Sequence, residues 1–231
     1  MNLPKADASK RSARGGLRAL LANREFRLIW LIGAATNTLR WLEILAVGVV
    51  VFDMTGSPFQ VAFMVILRFL PMVLLGAVTG VVAERVNRRQ FLIAALAVMG
   101  ASSLVLAILV FNDLLNLWII AASVILNGLF WTVDNPVRRT LLGEAVRPDQ
   151  IGIAMSLDTV TNSMTRFLGP LLGGVFLEFA GLGGIFFLGA VLYFAGLALA
   201  WVVRAGTEVS RVARSSAGFL AFLSDGVEVL K

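Results

Sequence analysis

Five ionisable side chains stand inside apolar runs that lipid alone would not accommodate. Arg40 and Glu43 interrupt one run, Arg68 a second, and Asp158 and Arg166 a third. An ionised group at the bilayer centre costs about 2.5 to 3.5 kcal/mol on insertion scales. Thirteen Leu, Ile, Val and Phe residues lie between Leu28 and Phe52, together worth roughly −4 to −8 kcal/mol. Arg40 with Glu43 cancels most of that, about 5 to 7 kcal/mol. The segment therefore needs neighbours or water around its charges.

Spacing suggests how they are held. Arg40 and Glu43, three apart, share a helix face and can partly neutralise each other. Asp158, Asn162 and Arg166 follow at intervals of four and stack on one face. Two kinds of chemistry fit. In the first, ion pairs brace helices together. In the second, Glu43 or Asp158 exchanges a proton in a polar cavity while Arg40, Arg68 or Arg166 holds an anionic group. Asp158 lies nearer the end of its run, which favours Glu43 as the exchanging acid. Three arginines against two acids leave a net +1, suited to anionic or zwitterionic cargo.

The elements that must position these groups follow from hydropathy. The chain is 58% hydrophobic, and its apolar residues come in blocks of about 20, the length that crosses a membrane. The expected fold is all-α: a polytopic membrane protein with six transmembrane helices, near Leu28–Phe52, Val61–Ala83, Phe91–Phe111, Leu114–Val133, Ile151–Leu177 and Leu182–Val203. Of the twenty Lys and Arg residues, seven fall at or before Arg27. Others follow the second span (Arg85, Arg88, Arg89), the fourth (Arg138, Arg139, Arg147) and the sixth (Arg204, Arg211, Arg214, Lys231). The loops "DMTGSPFQ", "ND" and "EFAG" carry none. This alternation predicts a multi-pass protein of the cytoplasmic (inner) membrane with both termini in the cytoplasm. It also explains the basic pI as a topology signal, so no nucleic-acid partner is expected.

Three parts are predicted: a cytoplasmic segment over 1–27 with an interfacial helix, a transmembrane domain over 28–203, and a cytoplasmic segment over 204–231. The chain has no cysteine and no histidine. That removes disulfides, thiol chemistry, Ser-His dyads, His-ligated haem and the usual zinc sites. No enzyme activity, cofactor or metal is expected. Gly76 with Gly80, and Gly169 with Gly173, have the spacing that lets helices approach closely. Pro71 and Pro170 remove intrahelical hydrogen bonds. Trp30, Trp118 and Trp201, near span ends, read as interfacial anchors in contact with membrane lipid.

The stretch "GAVTGVVAERVNRRQ" ends the second span in a burst of charge. Gly80, Glu84, Arg85, Arg88 and Arg89 resemble the loop signature of the major facilitator superfamily, with Glu84 where Asp is usual and Asn87 where Gly is usual. Asn tolerates a left-handed turn there. In "FLGPLLGG", Gly169, Pro170, Gly173 and Gly174 resemble the core of that superfamily's exporter signature; Ser156 and Thr165 replace its upstream glycines. The order of "LANREFRLIW", "TGSPFQVAFM", "NPVRRTLLGEAVRPDQIGIAMSL" and "FLSDGVEVL" is similar to the branch holding enterobactin and macrolide exporters.

The resemblance implies a secondary transporter that exports small organic molecules by alternating access, with a proton as coupling ion. It implies two six-helix halves, each an inverted pair of three-helix repeats. This chain would be the N-terminal half, needing a second six-helix half as partner. The resemblance also implies a cytoplasmic gate. Glu84 would face a helix N-terminus or a base of the other half, and Arg85 or one of the next two arginines would reach Asp134. Arg88 and Arg89 could instead merely end the helix and fix topology. A different class of function, a non-transporting membrane scaffold or regulator paired with another chain, fits the six spans equally.

Overall fold

The computed structural model describes residues 16–85 and 87–205, with the side chains of 77–85 left out. Much of the basic N-terminal segment and nearly all of the expected cytoplasmic segment over 204–231 lie outside these residues, as do the side chains of Glu84 and Arg85.

The described chain is helical throughout, with no strand. A short helix α1 (16–22) leads into α2 (Arg24–Thr55), α3 (Pro58–Arg85), α4 (Arg88–Phe111), α5 (Leu117–Glu144) and α6 (Ile151–Val202), the last preceded by a 3-10 turn at Pro148–Gln150. Four helical stretches are long and apolar enough to cross a membrane: Pro58–Gly76, Arg88–Phe111, Leu117–Glu144 and Pro148–Val202. The last contains a break. Gly181 has φ 63° and ψ −174°, and it divides α6 into two arms.

Asparagines set the helix starts. Asn23 accepts from the backbone N–H groups of Glu25 and Phe26, Asn87 from Gln90, and Asn116 from Ile119. Each satisfies donors that a first turn leaves open. Asn87 thus has φ −62°, ψ 105°. The expected left-handed turn does not form, because an extended N-cap starts α4 directly. At the other end of α2, Gly56 supplies the left-handed cap, φ 63°.

Long-range contacts order the helices. Trp30 donates its indole N–H to Thr161 Oγ1 at 3.0 Å, and the backbone N–H of Arg204 reaches Glu25 Oε2 at 2.7 Å. The early part and the far end of α6 therefore both lie beside the start of α2, so α6 doubles back at Gly181. Asn23 Nδ2 donates to the Ala145 carbonyl at 2.6 Å, and Arg89 Nη2 to the Trp201 carbonyl at 2.6 Å. One end of the bundle thus gathers the starts of α2 and α4, the end of α5 and both ends of α6.

Small residues set the closest approaches. A Cβ on Gly169 would stand 2.5 Å from Trp41 Cβ and 3.0 Å from the Thr38 carbonyl; one on Gly173 would meet Leu45 at 3.1 Å. These join the first arm of α6 to α2. A Cβ on Gly100 would meet Phe194 at 3.1 Å, joining α4 to the second arm. Gly128 on α5 lies against the Arg68 carbonyl of α3, with Pro71 beside it. Among the described residues nothing stands within 4 Å of a Cβ built on Gly76 or Gly174. Gly169 and Gly173 make the close approach that their spacing predicts, as dispersion-driven helix packing requires; Gly80 of the other pair lies outside the described side chains.

Both boundaries of the fourth span move. The fourth helix starts at Leu117 rather than Leu114, because Asn116 caps it, and it runs on to Glu144 rather than ending at Val133. Asp134, Arg138 and Arg139 are helical. A count of apolar residues stops at the first charge, whereas backbone hydrogen bonding continues wherever inward-facing charges find partners. Trp30 is half-buried and donates its indole N–H to Thr161. Trp118, 82% exposed, and Trp201 keep the exposure an interfacial anchor needs.

Candidate functional site

The polar interior begins with Arg40 on α2. Its Nη1 donates to Asn37 Oδ1 at 2.8 Å, its Nη2 lies 3.6 Å from Asp134 Oδ2, and its guanidinium sits 4.9 Å over the Trp131 ring. Asp134 also faces Arg138 Nε, one turn along α5, at 3.9 Å. Arg138 Nη1 donates to Asp158 Oδ1 on α6 at 2.9 Å, and Arg139 Nε lies 3.8 Å from Asp158 Oδ2. Arg40, Asp134, Arg138, Asp158 and Arg139 thus form one alternating chain of charge across three helices.

Arg138 is its centre and is 1% exposed. Its Nε and Nη2, like Asp134 Oδ2, make no hydrogen bond. The side chain fits because Gly33 lies against it: a Cβ there would collide with the guanidinium. A buried charge needs several partners to offset lost hydration. With donors left over, the chain holds polar capacity beyond its own pairs.

Glu43 occupies a second polar layer. Fully buried, it accepts from Ser103 Oγ at 3.4 Å, while the same hydroxyl reaches the Phe186 carbonyl at 2.9 Å. Gly189 on the second arm of α6 covers both: a Cβ there would stand 3.1 Å from Glu43 Oε1. Arg68 is buried and lines an otherwise apolar cleft with Ile44, Val61 and Val124. A separate narrow crevice of about 20 Å³, room for a water molecule, is bordered by Thr36, Arg40, Trp131, Asp134 and Tyr193.

The sequence-predicted residues thus divide. Arg40 and Glu43 do not form a salt bridge with each other: Arg40 turns to Asp134, and Glu43 turns to Ser103. Asp158 does not share its carboxylate with Arg166 one face along; the guanidiniums of α5 take it. Arg166 is exposed and stacks over Trp41 at 5.4 Å. Neither Arg88 nor Arg89 reaches Asp134. Arg88 pairs with Glu144 and Arg89 bonds the Trp201 carbonyl, because α4 starts beside the ends of α5 and α6. Gly80, Glu84 and Arg85 end α3, and their side-chain surroundings lie outside the described residues. Gly169, Pro170, Gly173 and Gly174 lie within the first arm of α6. Sequence reasoning missed Arg138, counted as a loop charge. Its spacing of four from Asp134 was the available signal.

Comparison with known proteins places this arrangement. The family described as transmembrane secretion effector, within the major facilitator class, matches residues 16–227. The chain belongs to this major facilitator family. Among its relatives, an uncharacterized MFS-type transporter, YfiS, of Bacillus subtilis (strain 168) is 25% identical over 199 residues, covering 83% of this chain and 45% of the relative. Macrolide efflux protein A of Streptococcus pyogenes is 23% identical over 211 residues, covering 90% of this chain and 51% of the relative. The major facilitator chain thus spans about half the length of these relatives. It is a multi-pass integral membrane protein of a transporter family.

Proposed function

We propose that this chain forms the N-terminal six-helix half of a proton-coupled exporter of small organic molecules, working by alternating access. The observation that carries the proposal is the buried charge chain through α2, α5 and α6. Acids and bases inside a membrane bundle mark substrate and proton routes, and here they border a crevice containing Arg40, Asp134 and Tyr193.

The six spans are α2, α3, α4, α5 and the two arms of α6, arranged as inverted three-helix repeats. Exchange of spans one, two and three with four, five and six maps the α2 contact with the first arm of α6 onto the α5–α3 contact. The same exchange maps the contact between α4 and the second arm onto itself. The close approaches at Gly169, Gly128 and Gly100 fall at these three contacts. Pro71 and Pro170 lie in exchanging spans. The positive residues put both termini in the cytoplasm of a bacterial inner membrane.

In this mechanism Glu43 takes and releases the proton, while Arg40 and Arg68 attract the anionic part of the cargo. Asp134, shared between Arg40 and Arg138, changes partner as the halves rock. The second half packs on α3 and the first arm of α6, which expose Val73, Phe167 and Leu171. Glu84 and Arg85 latch the cytoplasmic side against it.

The test is efflux from proteoliposomes holding this chain together with its second half, under an imposed proton gradient, with a macrolide as first probe. Gradient-driven transport is expected, and it is lost in Glu43→Gln while the protein stays folded. Transport unchanged in Glu43→Gln removes Glu43 from coupling. No gradient-driven flux of any amphiphilic probe overturns the exporter reading.

A further inference from the structure

An open cleft of about 380 Å³ lies at the end of the bundle where α2 and α4 begin and α6 finishes. Arg24, Arg89, Trp201 and Arg204 border it, with Val202 and Val203. We propose that this cleft holds the phosphate headgroup of an anionic membrane lipid.

Arg24 and Arg89, from the starts of α2 and α4, border one opening beside the end of α6. Arg89 uses one nitrogen to bond the Trp201 carbonyl, and its Nε is buried without a hydrogen-bond partner. Among the described residues no carboxylate pairs with Arg24 or Arg89. The acid adjoining Arg24, Glu25, is engaged by the backbone N–H groups of Arg204 and Ala205. Arg88, one residue before Arg89, is by contrast paired with Glu144. Among the described residues, Arg24 and Arg89 therefore bring the cleft guanidinium donors that no carboxylate takes up. Guanidinium groups match phosphate oxygens as two-pronged donors.

A lipid fits better than a phosphate free in water. The exposed Trp201 ring and Val202 flank the opening, and exposed indoles settle at headgroup depth. Acyl chains leaving the cleft would lie along this apolar rim. Basic pockets between spans at one face of a membrane protein bind anionic headgroups in this way. The inference needs only that the helices cross a membrane, so it stands apart from the transport reading.

The test uses the full chain in detergent, titrated with phosphatidylglycerol, phosphatidylcholine or inorganic phosphate, followed by thermal unfolding and by native mass spectrometry. Phosphatidylglycerol should raise the melting temperature and remain bound, while the other two have little effect. Arg24→Gln with Arg89→Gln should weaken retention roughly thirtyfold, about 2 kcal/mol at 1.4 kcal/mol per decade and about 1 kcal/mol per arginine. Should that pair fail to fold, Arg24→Gln alone breaks no described hydrogen bond and should still weaken retention about fivefold. Arg147→Gln, exposed elsewhere at the same end, should change nothing. Equal protection by phosphatidylcholine or by inorganic phosphate overturns the proposal. So does undiminished lipid retention in the folded variants.

Discussion

Replacing Asp158 by Asn tests whether the charge chain is a coupled unit. The carboxylate lies 2.9 Å from Arg138 Nη1, and the two side chains are 5% and 1% exposed. Asn keeps the shape and removes the charge. Arg138 is then left with Asp134 at 3.9 Å as its remaining acid, and two of its nitrogens already lack hydrogen bonds. Removing one partner of a buried pair costs about 3 to 5 kcal/mol, because the other charge stays desolvated and alone. Replacing both partners by uncharged groups of similar volume is often near neutral. Asp158→Asn should therefore melt about 10 °C lower, taking roughly 2 to 4 °C per kcal/mol for a chain of this size. Combining it with Arg138→Met should restore at least half of the loss. Tryptophan fluorescence during thermal unfolding in detergent reads both, with helix content checked by circular dichroism. The reasoning fails if Asp158→Asn melts within 3 °C of the parent, or if the double variant melts lower than the single.

Gly33→Ala places a methyl against the Arg138 guanidinium; its melting temperature should drop by several degrees, and by much less when introduced into the Asp158→Asn, Arg138→Met double variant. Gly128→Ala drives a methyl into the Arg68 carbonyl, and because backbone cannot swing aside, folded yield on size-exclusion chromatography should collapse. Gly174→Ala, with open space over it, should leave the melting temperature unchanged or raise it by the equivalent of up to about 1 kcal/mol. Trp30→Phe removes the bond to Thr161 and should cost about 1 kcal/mol by the same melt.

Hydropathy located the helices well, since a long apolar run leaves the backbone no other way to satisfy its hydrogen bonds in lipid. It located their ends less well. Asp134 and Arg138 looked like a loop because charge usually means water; here each faces an opposite charge on another helix, and that pairing is invisible along one strand of text. Spacing put Arg40 beside Glu43 and Asp158 beside Arg166, yet a helix face only lists candidates. The neighbour decides, and α5 brought Asp134 to Arg40 and Arg138 to Asp158. Gly169 and Gly173 were legible because close packing demands small residues at one spacing. Gly33 was not, since its partner is a side chain rather than a helix backbone.

The break at Gly181 has a consequence in length. An uninterrupted α6 of 52 residues would measure about 78 Å, against a hydrocarbon layer of about 30 Å. Backbone angles of φ 63° and ψ −174° belong to a region that only glycine visits freely, at a cost of order 1 to 3 kcal/mol for other residues. A side chain there strains one residue, but relieving that strain by straightening would push the far arm out into water. Its Gly189 would leave Glu43 and Ser103 uncovered. A single missing Cβ thus decides whether this bundle has an inside.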